Sequence, residues 1–151
     1  MTAPRTLTRS LLAAAILAAV AFLPQAGRAA DPVPARVRLV KATRAGPPLL
    51  DPRLEDVKKQ VSALAWQRWD LLSDQTPTLS KDQSSFVDLP DGSHVALSIV
   101  ETYGNVVTVE VSLAQKNTQS RVTIERGQRI VHQVAKEKNG VALFIVVTPW
   151  P

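Results

Sequence analysis

Val106-Val107-Thr108-Val109-Glu110-Val111-Ser112-Leu113 alternates apolar and polar side chains from Val107 onward. Successive side chains of a strand point to opposite faces. Val107, Val109, Val111 and Leu113 therefore share one face, and Thr108, Glu110 and Ser112 share the other. The stretch predicts a strand with one face in the core. Working upstream, Tyr103-Gly104-Asn105 is a turn, Ser93 to Glu101 a strand, Pro90-Asp91-Gly92 a turn, and Ser84 to Leu89 a strand. Downstream, Lys116-Asn117-Thr118 turns the chain and Arg121 to Glu125 is a strand. Arg126-Gly127-Gln128 turns it again, and Arg129 to Ala135 is the next strand. Asn139-Gly140 is a strong hairpin signal. Val141 to Val147 is apolar on both faces, which predicts a buried central strand.

Three earlier elements complete the pattern. Ala35 to Ala42 alternates and predicts a first strand, broken by Arg44-Ala45-Gly46-Pro47-Pro48. Asp51 is a good helix N-cap, and Pro52 at the first helical position loses no needed N–H. Leu54, Val57, Val61 and Leu64 form one apolar stripe, so a helix is expected over Pro52 to Trp66. The period then changes to two residues, and Trp69 starts another strand. The expected fold class is α+β: a twisted antiparallel β-meander, as a sheet or small sandwich, with one amphipathic helix packed on it.

The first thirty residues have a different layout. Arg5 and Arg9 precede the apolar run Leu11 to Leu23, which Pro24 ends; the small-residue segment Ala26-Gly27-Arg28-Ala29-Ala30 follows. That order is the layout of a secretory signal peptide. Thirteen apolar residues fall short of the roughly 20 that span a bilayer as a helix. A cut after Ala29 places Gly27 at the third position back, where a small residue is wanted. The expected organisation is a cleaved signal peptide over 1–29, a mobile lead-in over 30–35 and a single domain over 36–151. The sequence has no Cys and no Arg-Arg pair, which argues against lipidation and the twin-arginine route.

Charge narrows the partner classes. The chain is +5 at pH 7, and Arg5, Arg9 and Arg28 of the leader carry three of those charges. The remaining +2 is too small for a nucleic-acid surface. Residues 31–69 carry +4, residues 70–114 carry −6 and residues 115–151 carry +4. Basic and acidic strands lying side by side would neutralise each other. The sharper alternative is a polar molecule whose faces dock an anionic or head-to-tail partner.

Catalytic chemistry is not written in motifs. Absence of Cys excludes thiol catalysis and thiolate metal sites. His94 and His132 lack metal-ligand spacing. His132, between Ile130 and Val134, is expected to face the core. Ser80, Ser84, Ser85, Ser93 and Ser98 include no nucleophile elbow. Ser93 and His94 are adjacent on a strand and so point apart. Asp88 and Asp91 fit a hairpin turn rather than a calcium loop. No catalytic, cofactor-binding or metal-binding residue is assigned, and no cofactor is implied.

Tryptophans and arginines supply the binding candidates. Trp66 and Trp69 would form either a glycan platform or the plug between helix and sheet. Trp150, between Pro149 and Pro151, is either tucked on the sheet or exposed as a hook. Arg121, Arg126 and Arg129 mark a charged rim beside a sheet edge that could accept another strand. A small outer-membrane barrel is a further alternative, but aromatics for its girdles are few.

Several stretches together resemble small exported proteins of myxobacterial type. They are Val37-Arg38-Leu39-Val40-Lys41-Ala42, Asp51-Pro52-Arg53-Leu54 and Trp66-Gln67-Arg68-Trp69-Asp70-Leu71-Leu72, then Leu79-Ser80-Lys81-Asp82-Gln83, Leu89-Pro90-Asp91-Gly92 and Gly140-Val141-Ala142-Leu143-Phe144-Ile145. The resemblance implies an exported bacterial domain and carries over no functional residue. The expected function is a non-enzymatic protein-interaction component of the cell envelope, periplasmic or extracellular. It would bind no nucleic acid and keep no stable membrane span after cleavage. A small-ligand or glycan-binding periplasmic protein is the alternative.

Overall fold

A computed structural model describes residues 31–113 and 116–151. The expected leader, 1–29, lies outside them. Among the described residues ten strands form: β1 Val33–Thr43, β2 Leu49–Leu50, β3 Arg68–Gln75, β4 Thr78–Leu79, β5 Ser85–Asp88, β6 His94–Tyr103, β7 Val106–Leu113, β8 Thr118–Glu125, β9 Ile130–Lys138 and β10 Val141–Pro149. They make two sheets. One is six-stranded, in the order β2-β3-β1-β10-β9 with β4 also paired to β1; the other is four-stranded, in the order β5-β6-β7-β8. Every pairing is antiparallel except the short parallel contact of β2 with β3.

The alternation that marks β7 is realised in its pairing. Val107, Val109 and Val111 are buried and lie opposite Ile124, Val122 and Ser120 of β8. Their face meets the inner face of the six-stranded sheet. Val37 and Leu39 of β1, Leu97 and Ile99 of β6, and Ile145 and Val147 of β10 join them in one core between the sheets. β10 lies between β1 and β9. Its alternate residues Phe144 and Val146 enter a second core on the outer face, so it is buried on both sides as its composition requires.

The helix is shorter than the stripe suggests. Asp51 caps it, its carboxylate accepting from the Arg53 N–H at 3.0 Å. Residues Pro52–Val57 wind as a 3-10 turn, and only Lys58–Ser62, α1, is α-helical. Three residues per turn stack Leu54 and Val57 on one face, and with Val61 they close the second core. Leu64 is left exposed, because the chain turns away at Ala63 and Gln67 donates its N–H to Thr43 C=O at 3.1 Å. Strand β1 begins within the stretch expected as a lead-in. Val33 and Ala35 are buried in the core between the sheets. The Pro34 carbonyl accepts from Trp150 N–H at 2.8 Å.

The topology departs from a single succession of paired strands at Arg126-Gly127. Gly127 takes φ 87°, a conformation favoured by glycine. The turn carries the chain from the outer strand of one sheet to the outer strand of the other, and β8 and β9 do not pair.

Candidate functional site

β8 pairs with β7 along one side, and β9 pairs with β10 along one side. Each is the last strand of its sheet. A strand at that position presents unpaired N–H and C=O groups. Between the two edges lies a groove of about 510 Å3. Val111, Leu113 and Val134 give it an apolar floor, Thr118, Ser120 and His132 its polar walls, and Lys116 and Lys136 its rim. All the charged side chains that line it are basic. His132 is half-buried in the wall, and burial lowers its imidazole pKa because the cation loses hydration there. The arrangement offers backbone hydrogen bonds, apolar contact and positive charge in one slot, which are the elements of strand addition.

The three arginines expected on this rim separate. Arg121 stands on the outer face of β8, with Nε 3.4 Å from Glu110 of β7. Arg126 stacks over the Trp150 ring, 4.6 Å from its centroid. Arg129 meets Asp56 at 2.7 Å, and its carbonyl accepts from Gln60 Nε2 at 2.6 Å. Arg129 and Gln60 line a second, more polar groove of about 340 Å3 beside α1.

The tryptophans also divide. Trp69 is 3 % exposed, with its ring 5.2 Å from Phe144. Trp66 is half-buried, edge-on to Phe144 at 6.2 Å and covered by Arg44 at 4.4 Å. They plug the junction of turn and sheet and present no shared flat platform. Trp150 takes φ 48° and packs half-buried against the core between the sheets. Of the two positions expected for it, it occupies the tucked one.

Among the described residues His94, Asp88, Ser93 and Asp91 are placed as follows. His94 and Asp88 pair at 2.6 Å on the exposed face of the four-stranded sheet. Ser93 is buried and points away from them. Asp91 accepts the Ser93 N–H at 2.9 Å and the Ser93 hydroxyl, and these bonds lower its pKa. The Pro90-Asp91-Gly92 carboxylate is therefore spent on its turn. Among the described residues no three or more His, Asp or Glu side chains gather as a metal site, and no helix is long and apolar enough to cross a membrane.

Sequence reasoning missed two features. One is the groove, which depends on how two consecutive strands separate into different sheets. The other is Arg38, fully buried beneath the helical turn. The only signal for it was the amphipathic segment that had to cover that face of β1. Mostly antiparallel sheet, a short capped helical turn and a groove between two outer strands define this chain as a β-rich domain. No known family, curated protein or solved structure matches it.

Proposed function

We propose that the protein is an exported, non-enzymatic domain that binds an extended segment of a protein partner along the open edges of β8 and β9. One observation carries this reading: two adjacent unpaired strand edges flank an apolar-floored groove with a basic rim. Backbone groups of the edge supply the affinity of an added strand, the floor takes its alternate apolar side chains, and Lys116 and Lys136 favour acids beside them. Export is supported by the leader-like layout of residues 1–30 and by the resemblance to exported myxobacterial-type proteins. The glycan alternative loses support because Trp69 is buried and Arg126 covers Trp150.

The test is a selection of displayed random peptides on the immobilised protein. The expected binders are extended, alternate apolar residues and carry acids. They lose binding on Lys136→Glu or Thr118→Glu. Binders that all survive both substitutions would place recognition elsewhere and remove this function.

A further inference from the structure

We infer that the strand received by β8 is β5 of a second copy of this chain, added edge to edge. This rests on the reading of β8 as the receiving edge and names its occupant. The four-stranded sheet alternates direction at each step, in the order β5-β6-β7-β8. An even number of alternating strands leaves β8 running opposite to β5. A copy displaced by simple translation therefore brings its β5 antiparallel to β8, and the sheet continues without reversal.

β5 is suited to the other side of that contact. It pairs only with β6 among the described residues. Phe86 is 60 % exposed, an unusual position for a large ring on an outer strand. Its register partners run Phe86, Ala96, Ser112, Gln119 across the sheet, so it lies on the outer face that also carries Arg121. A copy of Phe86 and Asp88 would meet β8 on that face. The Arg121 side chain is 66 % exposed, held only by Glu110 at 3.4 Å. Asp88 uses Oδ1 on His94, leaving Oδ2 to accept from Arg121 of the neighbour.

Charge selects this pairing over the others. Asp82, Asp88 and Asp91 outnumber Lys81 on and beside β5, whereas Lys116, Arg121 and Lys136 outnumber Glu110 and Glu125 on the receiving side. Pairing β5 with β5, or β8 with β8, opposes edges of like net charge, whereas β5 on β8 joins edges of opposite net charge. The contact is heterologous, so it propagates into open assemblies rather than stopping at a dimer.

Sedimentation velocity of the protein at low ionic strength tests this. The expected result is a concentration-dependent series extending beyond the dimer that shrinks as salt is added. Asp88→Arg and Arg121→Asp should each give monomer with unchanged circular dichroism. Their equimolar mixture should regain assembly, since each variant's altered edge complements the other's. A monomer at every concentration, or assembly indifferent to both substitutions, would overturn the inference. Groove-selected peptides separate the two readings. A monomer that still binds them sinks self-docking alone, and a monomer that binds none sinks the strand-accepting function with it.

Discussion

Arg38 on β1 and Asp56 on the helical turn meet through two parallel hydrogen bonds, Nη1 to Oδ1 and Nη2 to Oδ2, each 2.8 Å. Arg38 has no exposed surface. Its Nη1 also donates to the Arg53 carbonyl at 3.1 Å. Asp56 in turn receives Arg129 at 2.7 Å. One carboxylate thus ties the central strand, the turn that covers the second core and the approach to β9.

Removing that carboxylate strands a buried guanidinium. Asp56→Ala should cost about 3 kcal/mol, the lower end of the range for breaking a buried pair, because Asp56 itself is partly wet. The double change Arg38→Met with Asp56→Leu should cost much less, since no charge is left uncompensated. Urea unfolding of the two variants measures the difference.

Trp69 and Trp66 should separate cleanly. Trp69→Ala opens a cavity against Phe144 and should cost about 3–5 kcal/mol. Trp66→Ala, at the half-buried rim under Arg44, should cost less than half as much. Equal and small losses would mean that neither ring is structural and would revive the platform reading.

Stability should fall with acidity in two windows. Burial lowers the His132 pKa in the folded state. The unfolded chain then binds more protons, so stability is full above the ordinary histidine value of about 6.5 and declines as pH falls below it. His132→Leu should flatten that decline. Arginine hydrogen bonds depress the Asp56 and Asp74 carboxyls. Their contribution is present above the unfolded carboxylate value of about 3.9 and is lost as pH falls through the lower folded values. Unfolding midpoints from neutral pH downward, for both proteins, check each window.

Arg126 covers Trp150 with its guanidinium. Arg126→Ala should cost about 0.5–1 kcal/mol, the scale of an exposed cation–π contact. It should also expose the indole, shifting Trp150 emission to the red in a protein whose Trp66 and Trp69 are replaced by Phe. Emission that stays in place would mean that the core alone holds the ring.

Local patterns were legible where one face decided the outcome. Val107, Val109 and Val111 announced β7 by their period, and Asn139-Gly140 announced the turn before β10. The helix falls short of its apolar stripe because Leu54 to Leu64 satisfies a 3.6-residue period, whereas packing over β1 needs only Leu54, Val57 and Val61. Turn chemistry at Arg126-Gly127 marked a reversal but did not say whether the next strand would pair or change sheets. The groove follows from that choice, so no local pattern contained it. Arg38 lies in the alternating stretch Ala35 to Ala42, on the face opposite Val37 and Leu39. Only the docking of the turn above it, set by contacts distant in sequence, buries it.

Backbone amide exchange of β8, Thr118–Glu125, in the presence of a synthetic peptide spanning Gln83 to Leu89 tests the central claim most directly. In the free protein the edge amides that β7 does not bond should exchange fast. With the β5-sequence peptide they should become protected, while β2 keeps its free rates. Unchanged exchange along β8 at saturating peptide, or protection that appears at β2 instead, would contradict strand addition at this edge.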